Sequence, residues 1–194
     1  MNIYIKLFHI STLTLLIGAS YGQISLSNAS FEGTPSDATI PSGWFAVSEG
    51  TTPDILPGYW GVYNEPVDGE TYVGLIVRPD GSFESIGQRL NKDLKKDVCY
   101  SMSFNLAHSD TYTGYDDAIQ IRVWISNKKS KRQQMVFESE LIKNEEWQWH
   151  KFDFKPLETM RYIIIEAYLP SSKRSAKGNL LIDDISTIVT CNKA

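Results

Sequence analysis

Sulfur and imidazole are scarce in this chain: two cysteines and three histidines stand among 194 residues. Zinc needs Cys and His in spaced sets, such as a pair of CxxC motifs or HExxH on a helix, and neither pattern occurs. A GxSxG elbow and a phosphate-cradling glycine loop are also missing, so the linear signatures of the common hydrolases and nucleotide-binding enzymes are absent. Charge of one sign is not gathered anywhere into a stripe. The formal net charge is -4, and the one dense basic stretch, Lys128 to Arg132, lies between two strand-like segments and reads as a solvated hairpin loop. A chain without a basic track is not expected to bind nucleic acid.

Long apolar runs are lacking too. The longest extends from Leu7 to Ile17 and is broken by His9, Ser11, Thr12 and Thr14. It falls short of the roughly 20 apolar residues that span a bilayer. Lys6 precedes it and Gly18, Ala19, Ser20 and Gly22 follow, which is the layout of a cleavable signal peptide over residues 1–22, leaving Gln23 as the mature end. Export to the periplasm, cell surface or medium is therefore expected, with no membrane span. Residues 23–194 suit a single domain.

What is present is alternation. Short runs of period two, punctuated by Gly, Pro, Asn and Asp, predict strands at 24–27, 44–48, 71–78, 83–90, 98–107, 119–126, 134–138, 148–154, 161–169 and 179–189. Pro79-Asp80-Gly81-Ser82 and Val67-Asp68-Gly69-Glu70 are hairpin signals. Tyr100, Met102, Phe104 and Leu106 alternate with Ser101, Ser103 and Asn105, and Ile119, Ile121, Val123 and Ile125 alternate with Gln120, Arg122, Trp124 and Ser126. One face of each strand is core and the other is wet, so two antiparallel sheets packed face to face are expected. An exported chain with an even cysteine count invites a disulfide between Cys99 and Cys191, the alternative being two buried thiols.

Three places offer chemistry. His108-Ser109-Asp110 carries the residue types of a catalytic site, but its position suits a polar strand end leading into a loop. Glu32, after the first strand, and the pair Asp183-Asp184, inside the last one, are carboxylates that burial would leave in need of a partner. Outside the cell that partner is calcium, a hard ion that takes oxygen ligands, or else a salt bridge or solvent. The aromatics form the third group: Trp60, Tyr63, Tyr112 and Tyr115 in loops, and Trp124 and Tyr168 facing outward from strands. Flat rings beside polar side chains suit sugars, which show an apolar face and a rim of hydroxyls. Arg122, Glu166, Gln88 and Asn105 are the expected rim, although any single aromatic can equally be loop or core packing.

The order Asn28-x-Ser30-Phe31-Glu32, Pro41-x-Gly43-Trp44, Gly69-Glu70-Thr71-Tyr72-Val73-Gly74-Leu75, Gln88-Arg89-Leu90 and Leu181-Ile182-Asp183-Asp184-Ile185-Ser186 resembles the galactose-binding-like jelly roll of carbohydrate-binding modules. Leu94 to Phe104 followed by Ala107-His108-Ser109 is similar to a version found in secreted and surface proteins of the Bacteroidetes. The resemblance implies an all-β jelly-roll sandwich, a structural calcium held by Glu32 and Asp183, and a non-catalytic binder of a polysaccharide or glycan. Modules of this kind usually accompany a catalytic domain, and with Ala194 a few residues after the last expected strand a free-standing binder is the expectation. A surface adhesion or assembly module with a protein partner is the alternative. A glycan-active hydrolase is a further one, because a carboxylate pair is set by distance and leaves no linear motif.

Overall fold

The computed structural model describes residues 23–169 and 177–191, and the expected signal segment lies outside them. Its strands in chain order are β1 (Phe45–Ala46), β2 (Asp54–Leu56), β3 (Tyr72–Val77), β4 (Ser85–Leu94), β5 (Tyr100–Ala107), β6 (Asp117–Ala118), β7 (Gln120–Ser126), β8 (Gln134–Glu138), β9 (Gln148–Phe154), β10 (Met160–Tyr168), β11 (Gly178–Asp183) and β12 (Val189–Thr190). They form two sheets. One has five strands in the order β1-β4-β10-β7-β8; the other has seven, in the order β12-β5-β11-β3-β2 with β9 beside β5 and β6 beside β11. All pairings are antiparallel except that of β6 with β11. These are the two packed antiparallel sheets expected from the alternation, in the jelly-roll sandwich that the resemblance implied.

Period two fixes what lies between the sheets. Tyr100, Met102, Phe104 and Leu106 of β5 point inward with Val73 and Leu75 of β3, and meet Ile121, Val123 and Ile125 of β7 and Ile163 and Ile165 of β10 from the opposite sheet. A smaller cluster, Leu56, Val62, Tyr72, Ile76, Ala107, Tyr112 and Leu181, sits on the outer side of the seven-stranded sheet. It forms where the segments around Val62 and Tyr112 fold down over β3 and β11. Half of that outer face is thereby closed, and the half built from β5, β9 and β12 is left open. Cys99 and Cys191 are bonded, closing a separation of 92 residues beside β12.

Four expectations need correction. Residues 24–27 make only an isolated bridge, Ile24 to Ile188. The strand expected over 179–189 stops at Asp183, because Asp184 takes a left-handed φ of 51° and turns the chain before β12 resumes. The turn Pro79 to Ser82 does close a hairpin, with Arg78 N–H on Ser82 O at 2.8 Å. Val67 to Glu70 is not a tight hairpin turn: it lies inside the long connection from β2 to β3, where Gly69, at a φ of 69°, lets the chain bend tightly around the Glu32 carboxylate. The basic stretch Lys128 to Arg132 is a hairpin loop between β7 and β8, but it is not simply solvated, since it folds back over the five-stranded sheet. Among the described residues no helix is long and apolar enough to cross a membrane.

Candidate functional site

The expected ligand residues are spread over four places. Arg122, Trp124, Glu166 and Tyr168 do share the outer face of the five-stranded sheet, where Arg122 lies opposite Glu166 and Trp124 opposite Ile164. The charged groups of Arg122 and Glu166 are already spoken for within the protein, whereas Trp124 Nε1 is buried with no hydrogen-bond partner among the described residues. Arg122 lies over the Tyr168 ring, 3.1 Å from its centroid, and donates from Nε to Glu138 at 2.5 Å. Glu166 is buried and accepts a hydrogen bond from Arg132 Nε, whose Nη2 also donates to Ser48 Oγ at 2.7 Å and Ser85 Oγ at 2.9 Å. Burial pushes the Glu166 carboxyl up, and the Arg132 guanidinium pulls against that rise. The β7–β8 loop is thus bolted onto this face, and Ile164 beneath it is fully buried although it points away from the core.

Gln88 and Asn105 do not join that group. Gln88 exchanges two hydrogen bonds with the Ser27 backbone, at 2.6 and 2.8 Å, and anchors the N-terminal segment to β4. Asn105 belongs to the other sheet and donates to Asp184 Oδ2 at 3.1 Å. Trp60 and Tyr63 are in the loop before β3, the first donating from Nε1 to Asp37 Oδ1 at 2.9 Å and the second largely exposed. His108 and Ser109 are buried and tied to Asn179, whose backbone and side-chain oxygens they contact at 3.2 and 3.0 Å, so they are polar packing at a strand end.

The open half of the seven-stranded sheet carries a groove of about 420 Å³ that the aromatic inventory overlooked. Its floor is β5, where the outward set is small: Ser101 and Ser103. On one side β9 supplies cross-strand partners in register, Asp153 beside Ser101, Lys151 beside Ser103 and Trp149 beside Asn105. On the other side stand Ser186, Thr187, Val189, Thr190 and Cys191. Trp149 is 63% exposed, the most open tryptophan ring among the described residues. Ser101 Oγ is buried in the floor with no hydrogen-bond partner among the described residues. The alternation Gln148-Trp149-His150-Lys151-Phe152-Asp153-Phe154 contains this result: His150, Phe152 and Phe154 face inward beside Phe104, Met102 and Tyr100, so Trp149, Lys151 and Asp153 must face out.

The two expected metal carboxylates converge on one turn. Asp183 accepts backbone N–H groups from Val67 at 2.7 Å, Asp68 at 3.1 Å and Asp184 at 2.7 Å, and Glu32 accepts that of Glu70 at 3.0 Å. Ser30 Oγ donates to Asp68 Oδ2 at 2.7 Å on the same turn. Asp183 is fully buried, and burial pushes its carboxyl up to about 6 against the three N–H donors, with the nearby Asp184 charge adding to the rise. No cationic side chain among the described residues pairs with either carboxylate. The chemistry a hard cation takes is thus supplied by Asp183, a buried carboxylate with no counter-charge, while Glu32 stands exposed at the other end of the same turn. The grouping of Cys99, Asp153 and Cys191 does not suit a metal, because its sulfurs are in the disulfide.

A smaller cavity of about 120 Å³ is lined by Asp37, Asp54, Trp60, Arg78, Tyr112 and Tyr115. Asp54 accepts from the Tyr112 hydroxyl and the Ala38 N–H, and burial pushes its carboxyl up to about 6. Asp37 and Asp54 lie in direct contact here, closer than the roughly 5 to 9 Å that separate the two carboxyls of a glycoside hydrolase.

Neither a protein-family model nor a curated protein matches the chain. Solved structures do. The CBM22-1 xylan-binding domain of Xyn10C from Paenibacillus barcinonensis is 15% identical, with a TM-score of 0.54 over 86% of this chain and 94% of that one. The K3 cleaved adhesin domain of Lys-gingipain from Porphyromonas gingivalis W83 is 14% identical, with a TM-score of 0.55 over 86% of this chain and 99% of that one. The fold is the jelly roll of carbohydrate-binding modules. At these identities the likeness speaks for the fold alone, and the same fold serves an adhesin domain.

Proposed function

We propose that the protein is a secreted, non-catalytic carbohydrate-binding module that holds its glycan in the groove beside Trp149. The observation that carries this reading is an exposed indole standing over a floor of serines, with Lys151 and Asp153 in line along one wall. A pyranose stacks its apolar face on the indole, and the ammonium and carboxylate take its hydroxyls as donor and acceptor. Small floor residues let the ring approach the sheet, and the unpartnered Ser101 hydroxyl is available to a ligand oxygen or a bridging water. Calcium at Glu32 and Asp183 would neutralise the buried charge and fasten the Val67 to Glu70 turn to β11. Its contribution is structural, since that turn is separate from the groove lining. Export agrees with the Cys99–Cys191 bond, which forms and persists in oxidising compartments.

The test is a glycan array that includes xylan and galactan oligosaccharides, run with calcium and with a chelator. Saturable binding to a defined glycan is expected, with the chelator lowering the melting temperature more than the affinity of the folded protein. Folded protein that stays silent on every glycan contradicts the reading.

One observation favours a second reading. Tyr59, Trp60, Tyr63 and Val67 are all exposed on a single loop, an apolar cluster suited to a protein partner. An adhesion role predicts that Tyr63→Ser abolishes capture by that partner and leaves glycan binding intact.

A further inference from the structure

The outer face of the five-stranded sheet is bolted down at its β7 end, but a second cavity of about 290 Å³ opens at its β1 end, lined by Ser27, Gly43, Phe45, Gln88, Arg89, Lys129 and Tyr162. Phe45 lies flat on the sheet here because residue 87 is glycine: a Cβ at Gly87 would stand 2.8 Å from the ring. Tyr162 meets Phe45 edge-on, with centroids 6.3 Å apart, giving two aromatic surfaces at an angle. The β7–β8 loop places the Lys129 ammonium 4.7 Å above the Phe45 ring. Arg89, in register with Tyr162, is exposed on the same face. Among the described residues neither Arg89 nor Lys129 pairs with a carboxylate, whereas Arg78, Arg122, Arg132 and Arg161 all do.

Lys129 is not a free surface lysine. Arg132, three residues on, anchors the loop to Glu166, Ser48 and Ser85, and Asn127 and Gln133 at its base both donate to Glu158, at 3.0 and 3.1 Å. The ammonium is therefore held at the cavity mouth, and part of the entropy of positioning it is already lost before a ligand arrives.

We infer that this cavity is a second binding site, on the opposite face from the Trp149 groove, for the anionic group of an acidic sugar residue. The ring stacks against Tyr162, and the anion sits between the Arg89 guanidinium and the Lys129 ammonium. A carboxylate or a sulfate satisfies this chemistry, since both offer paired oxygens to a guanidinium. Gln88 lines the cavity but spends its amide on Ser27, so the two cations set the selectivity. The ring part of this inference rests on the glycan-binding reading, and the charge part rests on the cavity alone.

The experiment is calorimetric titration of the protein with oligogalacturonate, with a sulfated galactan oligosaccharide, and with neutral galacto- and xylo-oligosaccharides, at low and high salt. One or both acidic ligands are expected to bind with an affinity that falls as salt rises. Removing either charge, in Lys129→Ala or Arg89→Gln, is expected to weaken that binding about tenfold or more while the melting temperature holds. Trp149→Ala is expected to leave acidic binding unchanged. The two arms say which anion the cavity prefers. Acidic binding that persists in both charge variants, or that vanishes in Trp149→Ala, overturns the second site. So does the absence of acidic binding from a protein that binds neutral glycans, an outcome that leaves the Trp149 groove standing. An acidic peptide that binds as well as the acidic sugars, with the same dependence on Lys129 and Arg89, overturns the assignment of the ligand as a sugar.

Discussion

The outer faces of the two sheets began from the same sequence pattern and ended in opposite conditions. Both are written as polar and aromatic residues alternating with core positions. On the five-stranded sheet, Arg132 reaches down from the β7–β8 loop to Glu166, and Arg122 covers Tyr168, so the promising cluster is consumed by its own neighbours. On the seven-stranded sheet, the loops around Val62 and Tyr112 cover β3 and β11 and stop short of β9, where Trp149, Lys151 and Asp153 stay open over a serine floor. Outward direction is a local property of a strand. Availability to a ligand depends on which loop folds over it, and that is decided by long-range contacts.

Breaking the disulfide is the largest expected perturbation of this contrast, because Cys191 is part of the groove wall. The double variant Cys99→Ser/Cys191→Ser frees a loop of 92 residues and is expected to cost about 4 kcal/mol in urea denaturation. Its damage should fall on the β5–β12 side, with glycan affinity dropping even under conditions where the protein remains folded. Next in size is the bolt on the opposite face. Arg132→Ala leaves Glu166 buried without its cation and is expected to destabilise by about 2 to 3 kcal/mol, while Arg132→Ala/Glu166→Gln recovers part of that loss. Neutral-glycan binding at the Trp149 groove should be unaffected by either.

A smaller effect belongs to Asp54, at the covered edge of the seven-stranded sheet. Its carboxyl is raised to about 6 by burial, above its ordinary value of 3.8, so the folded state holds the proton more tightly than the unfolded chain does. The stability this supplies is complete below the unfolded value and is lost as pH rises through about 6. Melting temperatures measured between these limits should therefore fall with rising pH, and Asp54→Asn should flatten that part of the curve. A slope unchanged in the variant would mean that other carboxyls carry it.

Much of the fold was legible in the chain. The runs at 71–78, 98–107, 119–126, 148–154 and 161–169 correspond to β3, β5, β7, β9 and β10 with ends shifted by a residue or two. The inward sets of β5 and β7 are those that alternation assigned. What escaped was short: β2 has three residues and β6 two, and neither is long enough to display a period. The disulfide was legible from export and cysteine parity, with buried thiols open as the alternative. The ligand face was legible only in part. Trp124 and Tyr168 point outward as alternation says, yet nothing local in the sequence reveals that Arg132 lands on Glu166 or that Arg122 lands on Tyr168. Trp149 obeys the same alternation in β9, but its neighbours His150, Phe152 and Phe154 make the segment look like core. The sequence places Glu32 after the first strand and Asp183 inside the last one, but nothing local in it shows that both converge on the Val67 to Glu70 turn, which reads as a hairpin signal.

The most direct measurement is the affinity of the best array glycan for two single variants, Trp149→Ala and Tyr168→Ala, with melting temperatures taken alongside. The account expects Trp149→Ala to weaken neutral-glycan binding by about 2 kcal/mol, or about thirtyfold, with little change in stability. Tyr168→Ala is expected to leave binding within about twofold of the unaltered protein. The reverse result, binding lost with Tyr168 and kept without Trp149, would place the ligand on the five-stranded sheet and contradict the account.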